Sequence, residues 1–531
     1  MMVYFPWKKG EYMKKNIIII GAGPAGLTAG LQIVRKSDEY NVTILEESAM
    51  VGGISRTVRH NGNRMDIGGH RFFTKDGEVN QFWNELMPLQ GMPAFDDILL
   101  DRKVPLAPGG GDPEKEDKVM LTRNRVSRIY YRRKFFDYPV KMNFNTICNM
   151  GLMTTFSAGM SYLFSLFRKL EETSLENFYI NRFGRKLYSM FFERYTEKLW
   201  GRHPEDISAD WGAQRVKGLS ILAVLKDILC KCIPGKRKKV ETSLIEEFHY
   251  PKYGPGQLWE EAAEELEKKG GKIFFQHKAV RFITGKNGME KVVALDENGE
   301  EKIFESDIVI SSMPVKNLVC GLPLVPENIL SAAKGLPYRD FVTVGLLLEK
   351  LALKNRTKLK TLNNIIPDCW IYVQEEDVKL GRIQIFNNWS PYMVKEPLKS
   401  MWIGLEYFCS QGDEYWNMGQ EEWKNFAVKE LEKMGVIFPG EKILDHHVEK
   451  VEKAYPAYFD TYAQMEDIIA YLDTFPNLYC VGRNGQHRYN NMDHSMATAF
   501  EAVRHILSGG QGDKKAIWNV NTEKEYHEEK K

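Results

Sequence analysis

The sequence predicts an α/β fold in which a Rossmann-like domain is joined to a second domain of α+β character. Three observations carry that prediction. The apolar run Asn16 to Ile20 meets Gly21-Ala22-Gly23-Pro24-Ala25-Gly26 and then a helical stretch reaching Val34, so strand, glycine turn and helix arrive in the order a dinucleotide site requires. A second strand-like run, NVTILEE, delivers Glu46 twenty residues beyond Gly26, where an acid can hold a ribose hydroxyl. Further on, KIFFQHKAVRFI, KVVALDENGEE and KIFESDIVISSMP (272–314) alternate strands with turn residues. The last of these is apolar on successive residues, as suits a strand covered on both faces.

Each glycine of the first turn has its own task. Gly21 permits the tight turn, Gly23 lets the backbone approach a pyrophosphate, and Gly26 lets helix and strand pack closely. The helix N-terminus is then aimed at phosphate. At the other end of the chain, CVGRNGQHRYNNMDHSMATAFEAVRHI (480–506) begins as a strand and ends as a helix, with Arg, His, Asn and Asp crowded between. A plain connector needs only a few turn residues, so this crossing reads as the far half of a binding site. A helix is expected from about Asp493, with Asp493 or His494 capping it and the small Ala497 and Ala499 allowing close approach to a ligand.

Size and composition bound the remaining readings. A chain of 531 residues that is 43% hydrophobic exceeds a comfortable single domain. The motifs assign 14–73, 246–324 and 476–508 to the dinucleotide domain and 74–245 and 325–475 to the second domain, with 1–12 and 509–531 as flexible termini. Lys and Arg number 73 against 71 Asp and Glu, a balance that gives no footprint for nucleic acid. The seven cysteines form no CxxC pair and no metal-like spacing with histidine, so they read as reduced thiols of a cytoplasmic protein. Lys14-Lys15 before the first apolar run imitates a secretory signal but lacks a cleavage site. Met150 to Phe167 is apolar but diluted by Ser and Thr, and reads as a helix of the second domain. ILAVLKDILCKCIPGKRKK (221–239) ends in a basic run and reads as a packed helix followed by a solvated loop, with peripheral contact to an anionic membrane as the other reading.

MVGGISRT (50–57) and MDIGGHRFF (65–73) separate FAD from NAD. Gly52-Gly53 with Arg56 resembles the second phosphate motif of the FAD-binding fold shared by amine oxidases, protoporphyrinogen oxidase and UDP-galactopyranose mutase, the glutathione-reductase/amine-oxidase type. Paired glycines expose backbone N–H groups to an anion, and a nearby Arg adds a charge-assisted bond. No second nucleotide fold is visible, because Gly254-Pro255-Gly256 precedes a helix without a strand before it.

GGHRFFTKD, YYRRKFFDYP, YTEKLWGRHP, AYPAY and VGRNGQHRYNNMD occur in the order of the corresponding elements of UDP-galactopyranose mutases. The match covers 16–506 and is similar also to mutase-like NAD(P)/FAD-dependent oxidoreductases associated with polysaccharide biosynthesis. The resemblance implies FAD as cofactor and His70 against the flavin ring. It implies Trp200 lining a sugar site, Arg483 near diphosphate and flavin, and Tyr489 on phosphate. It places Gly69, Val280, Gly482, Met492, Asp493 and Ser495 among the cofactor-binding positions, beside Gly21, Gly23, Gly26, Glu46, Gly52, Gly53 and Arg56. One departure stands out: a mutase carries two arginines a turn apart after its WGR element. Here Arg215 can supply the first, Leu219 and Ser220 stand where the second belongs, and Lys217 offers only a point charge.

Three functions follow. The favoured one is an FAD-dependent oxidoreductase acting on a bulky glycosyl or lipid-like substrate. The alternatives are a flavin-dependent sugar ring isomerase and a non-catalytic, FAD-stabilised assembly subunit. The partner expected is a small molecule, a nucleotide- or lipid-linked sugar among the candidates. No transmembrane segment is expected, and a homodimer is compatible with the sequence.

Overall fold

Strand runs gather into two main sheets in the computed structural model, which describes residues 14–138, 140, 144–209, 212 and 247–521. In chain order the strands of these sheets are β1 (Lys15–Ile20), β2 (Tyr40–Leu45), β3 (Ser127–Tyr131), β4 (Lys134–Asp137), β5 (Lys272–Phe274), β6 (Ile308–Ser311), β7 (Tyr338–Leu348), β8 (Trp370–Val373), β9 (Arg382–Ile385), β10 (Met401–Cys409), β11 (Ile443–Pro456) and β12 (Leu478–Cys480). The helices that matter here are α1 (Pro24–Lys36), α2 (Leu152–Phe167), α3 (Leu175–Tyr188), α4 (Arg194–Trp200), α5 (Gln420–Met434) and α6 (Met492–Leu507).

One compact unit comprises Met1–Gly53, Trp259–Lys334 and Gln464–Val520. Its sheet runs β12-β6-β1-β2-β5, parallel throughout. Ile17 to Ile20 are buried on successive positions, which a parallel strand covered on both faces requires. From β1 the chain winds to β2 and β5 on one side, and later supplies β6 and β12 on the other. That reversal is the switch point at which open parallel sheets bind ligands, beyond the carboxyl ends of the strands. The runs expected between 272 and 314 form β5, a three-stranded antiparallel meander (Lys278–Gly285, Gly288–Leu295, Glu301–Glu305) and β6.

Of the two capping residues expected in this unit the structure selects one, and its tail differs from the expectation. The last long helix is capped by Asn491, whose backbone N–H donates to His494 Nδ1 at 3.3 Å. His494 takes the capping contact and Asp493 does not. The tail expected to be flexible from Gly509 instead adds a short helix, Ala516–Asn519, with Ile517 and Trp518 buried.

The other unit comprises Ile54–Leu258, Gly335–Ala463 and Asn521–Lys531, so Arg56 and His70 belong to it. Its seven-stranded sheet is ordered β11-β7-β10-β9-β8-β3-β4, antiparallel except where β8 meets β3. One face is aliphatic: Val342, Val344, Leu346, Ile383, Ile403 and Leu405 pack against Trp423, Ala427 and Leu431 of α5. The period of two then puts a different set of residues on the opposite face.

The apolar stretch at 150–167 is broken at Gly151 (φ +84°), so α2 starts at Leu152 after a separate helix, Phe144–Met150. Residues 221–239 and Arg215, Lys217, Leu219 and Ser220 lie outside the described residues. Gly254-Pro255-Gly256 does have a strand before it, Glu247–Pro251, contrary to the expectation. That strand is antiparallel to Met120–Asn124, and the space beside Gly254 is filled: a Cβ there would lie 2.4 Å from Thr57 Oγ1. The motif therefore serves packing.

Beside it lies Asp66, fully buried. It accepts from Thr57 Oγ1 at 2.9 Å and from the Tyr250 hydroxyl. Burial pushes its carboxyl from 3.8 up to about 7, against the pull of those two hydrogen bonds. Between these values the unfolded chain holds fewer protons than the folded one, so stability is full at low pH and falls as pH rises from about 4 to about 7, by about 1.4 kcal/mol per pH unit. Asp66→Asn keeps the shape without the charge. Its thermal midpoint is expected to lose this component of the pH dependence, which scans from pH 4 to 8 on both proteins will measure.

Candidate functional site

In the first unit, the chain leaves β1 through Gly21 at φ +96°, and a Cβ on that residue would lie 2.3 Å from Ser312 Oγ. A Cβ on Gly26 would lie 1.9 Å from the Gly21 carbonyl oxygen. Packing alone demands these two glycines. Gly23 is different, since its φ is −81° and a Cβ there would meet nothing closer than Gly53 Cα at 3.9 Å. Its lack of a side chain keeps backbone bare at the start of α1, which is the requirement of a pyrophosphate on a helix N-terminus.

Glu46, buried just past β2, accepts from the Ala22 N–H at 2.7 Å, and from the Ser48 N–H at 2.9 Å and hydroxyl at 2.7 Å. The Gly52 N–H donates to the Ala22 carbonyl at 2.8 Å, so the second glycine pair is stapled to the first turn. Val280 sits at a bulge in the meander, where the register shifts between Ala279 and Arg281. Bare glycine backbone, an acid and a helix N-terminus together suit the diphosphate and ribose of a dinucleotide.

The crossing after β12 lies against the same turn. Gly482 (φ +79°) has room for no Cβ, because Ala25 Cβ would be 2.9 Å away, and its N–H donates to Thr498 Oγ1 at 2.8 Å. Much of the polarity of this segment is spent on holding itself in place. Gln486 donates to the carbonyls of Cys480 (3.2 Å) and Ile517 (2.7 Å), and Arg488 to those of Trp518 and Val520. Arg483 donates through Nε to the Asn490 carbonyl at 2.8 Å, and its guanidinium lies 4.8 Å from the centre of the Tyr489 ring. Met492, Asp493 and Ser495 follow in the first turn of α6.

In the second unit, the face of the sheet opposite α5 is polar and aromatic. Arg382 on β9 pairs in register with Glu406 on β10 and Tyr372 on β8. It donates through Nη1 to Glu406 Oε2 and to the Tyr455 hydroxyl, both at 3.1 Å, and through Nε to Tyr195 on α4 at 2.5 Å. Phe408, Trp370, Tyr195 and Tyr372 surround the guanidinium, with ring centres 4.9 to 5.9 Å away. Glu406 also accepts from Gln384 Nε2 at 3.0 Å. Burial pushes its carboxyl upward while Arg382 pulls it back. Trp370 Nε1, Gln384 Oε1 and Thr343 Oγ1, all on this face, have no hydrogen-bond partner among the described residues.

The turn before His70 is pressed onto that face. A Cβ on Gly69 would fall 1.5 Å from Trp370 Cζ3, and the His70 ring contacts the Gly68 carbonyl through Nδ1 at 3.0 Å. Trp200 ends α4, buried, with its ring edge-on to Phe459 at 6.3 Å. Arg56 lies 3.6 Å from Glu449. The second unit thus brings Gly69 and His70 beside Trp370, and attaches Trp200 to the helix that holds Arg382. Arg56 also belongs to the second unit, and the other described cofactor-binding candidates, with Arg483 and Tyr489, fall in the first.

Comparison with known proteins matches the family of flavin-containing amine oxidoreductases over residues 24–507. The chain belongs to that family. Its cofactor is FAD. Among solved structures, it is similar to reduced UDP-galactopyranose mutase, with TM-score 0.74 and 20% identity over 96% of this chain and 97% of that one. It is also similar to an Exiguobacterium protein assigned as a protoporphyrinogen oxidase, with TM-score 0.64 and 15% identity over 93% and 99% of the two chains. A 4,4'-diapophytoene desaturase from Methylomonas is 41% identical over 54 residues, so this chain spans only 10% of the length of that curated relative. The described residues contain no helix long and apolar enough to cross a membrane.

Sequence reasoning missed Arg382, Glu406 and Gln384. The signal was present: GRIQIF and MWIGLEYF place single charges inside runs otherwise fit for burial, and a buried charge requires a partner. For the glycine turn the test is Gly23→Val. Because the protein itself leaves room for a Cβ at this position, the variant is expected to fold with an unchanged far-ultraviolet spectrum and to purify without bound flavin, as read from its visible absorbance.

Proposed function

We propose that the protein is an FAD-dependent oxidoreductase acting on a bulky glycosyl or lipid-like substrate. The observation that supports this most directly is the Arg382–Glu406 pair inside its aromatic surround. An aliphatic face would suffice to fill a core, and a buried ion pair seldom adds net stability. A guanidinium fixed by Glu406, Tyr195 and Tyr455 instead holds two hydroxyls in set positions on this face, and Trp370 and Tyr372 offer flat faces to a ring. Gly23 with Gly52 and Gly53 would hold the FAD diphosphate at the turn that Gly21 and Gly26 shape, and Glu46 the ribose. FAD supplies the hydride chemistry when bound. His70, Trp200, Arg483 and Tyr489 are proposed to orient the substrate and exclude water.

A second reading, redox-neutral contraction of a sugar ring, is favoured by Trp200, Arg483 and Tyr489 standing at the mutase-like motif positions. The replacement of the second arginine by Leu219 and Ser220 weighs against it. Anaerobic mixing of the FAD-loaded protein with sugar nucleotides and lipid-linked sugars separates the two. The oxidoreductase reading expects oxidised flavin to bleach in proportion to product formed. Product from dithionite-reduced protein alone, with the flavin state unchanged, would replace it with the isomerase. Arg382→Lys keeps the charge but loses the planar hold on Glu406, Tyr195 and Tyr455, and is expected to lower kcat/KM about ten- to hundred-fold, the equivalent of a lost charge-assisted bond of about 1.5–3 kcal/mol, with FAD content unchanged.

A further inference from the structure

Helix α2 exposes the face that a surface helix normally buries. It has 16 residues and no charge. Its buried side chains are Ala158, Tyr162 and Ser165, whereas Leu152, Phe156, Met160, Leu163, Phe164 and Phe167 are 46% to 90% exposed. At about 100° per residue these six fall within a stripe about 120° wide, running the full helix length of about 24 Å. The orientation is fixed from below. A Cβ on Gly184 of α3 would lie 2.7 Å from the Tyr162 backbone nitrogen, and the Lys186 N–H donates to Ser161 Oγ at 3.1 Å. Rolling the stripe inward would break that contact.

The charges flanking the stripe in sequence are mostly positive. From 132 to 172 the sequence contains Arg132, Arg133, Lys134, Lys141, Arg168 and Lys169 against Asp137, Glu171 and Glu172, a net +3 in a chain whose total is +2. Lys134 donates to the Asn149 carbonyl at 3.1 Å, which places a cation just before the start of α2, and Arg168 caps its end. An apolar stripe with cations at both ends matches the boundary between headgroups and acyl chains of an anionic bilayer, where a helix lies in the plane. Sixteen residues fall short of the roughly 20 needed to span. A second copy of the chain would cover the stripe only by bringing two cationic flanks together.

We propose that α2 seats the second unit on an anionic membrane surface. This does not depend on the reaction catalysed. The test is flotation of the full-length, FAD-loaded protein with vesicles of phosphatidylcholine alone or mixed with phosphatidylglycerol. The expected result is flotation with the phosphatidylglycerol vesicles, falling at least tenfold with phosphatidylcholine alone and in the double variant Phe156→Glu, Phe164→Glu with its FAD retained. A separate variant, Phe167→Trp, is expected to shift its emission to the blue on phosphatidylglycerol vesicles only, a readout that stands if the double variant fails to fold. No flotation with either vesicle type, or equal flotation of wild type and folded double variant, would overturn the proposal. So would light scattering that finds a dimer which the double variant dissociates, without vesicle binding.

Discussion

The carbonyl oxygen of Gly21 occupies the place where a side chain on residue 26 would begin, and the first unit is arranged around that close approach. It brings α1 onto the end of β1, so Ala25 meets Gly482 and the last crossing is drawn over the same turn. The Gly52 N–H reaches the Ala22 carbonyl, and the Ala22 N–H reaches Glu46. Three separated parts of the chain thus converge on one stretch of six residues. A larger residue at position 26 would displace all of them together.

Most of the first unit was legible because its signals are local. A glycine turn needs its residues at fixed spacing, and β1, α1, β2 and Glu46 all lie within about thirty residues of one another. The meander was legible from the turn residues between its strands. What escaped depends on distant partners. The strand before Gly254 exists because Met120–Asn124 pairs with it, and nothing near 247 announces that. The parallel insertion of β3 beside β8 joins positions more than two hundred residues apart, and the surround of Arg382 draws Tyr195 from 187 positions away.

The crossing at 480–506 shows why polarity alone is an ambiguous signal. Its Gln486 and Arg488 hold backbone carbonyls near the end of the chain, work that any buried irregular segment requires. Arg483 and Tyr489 stack on each other in the same few residues. Residue type could not separate structural from ligand-facing groups here, because both tasks draw on the same donors and acceptors. The separation comes from counting where each donor goes.

The sheet of the first unit also has a history in time. β1 pairs with β6 across 291 positions of chain, with Asn16 donating to Asp307. At a synthesis rate of about 5–20 residues per second, roughly 15–60 s pass between the emergence of these two strands. For that interval the β6-side edge of an isoleucine-rich strand has no partner in the nascent chain, and β12 arrives later still. Such an edge invites pairing with other chains. Until β6 emerges, the central strand of the first unit has on that side only the protection its own chain and the pace of synthesis allow.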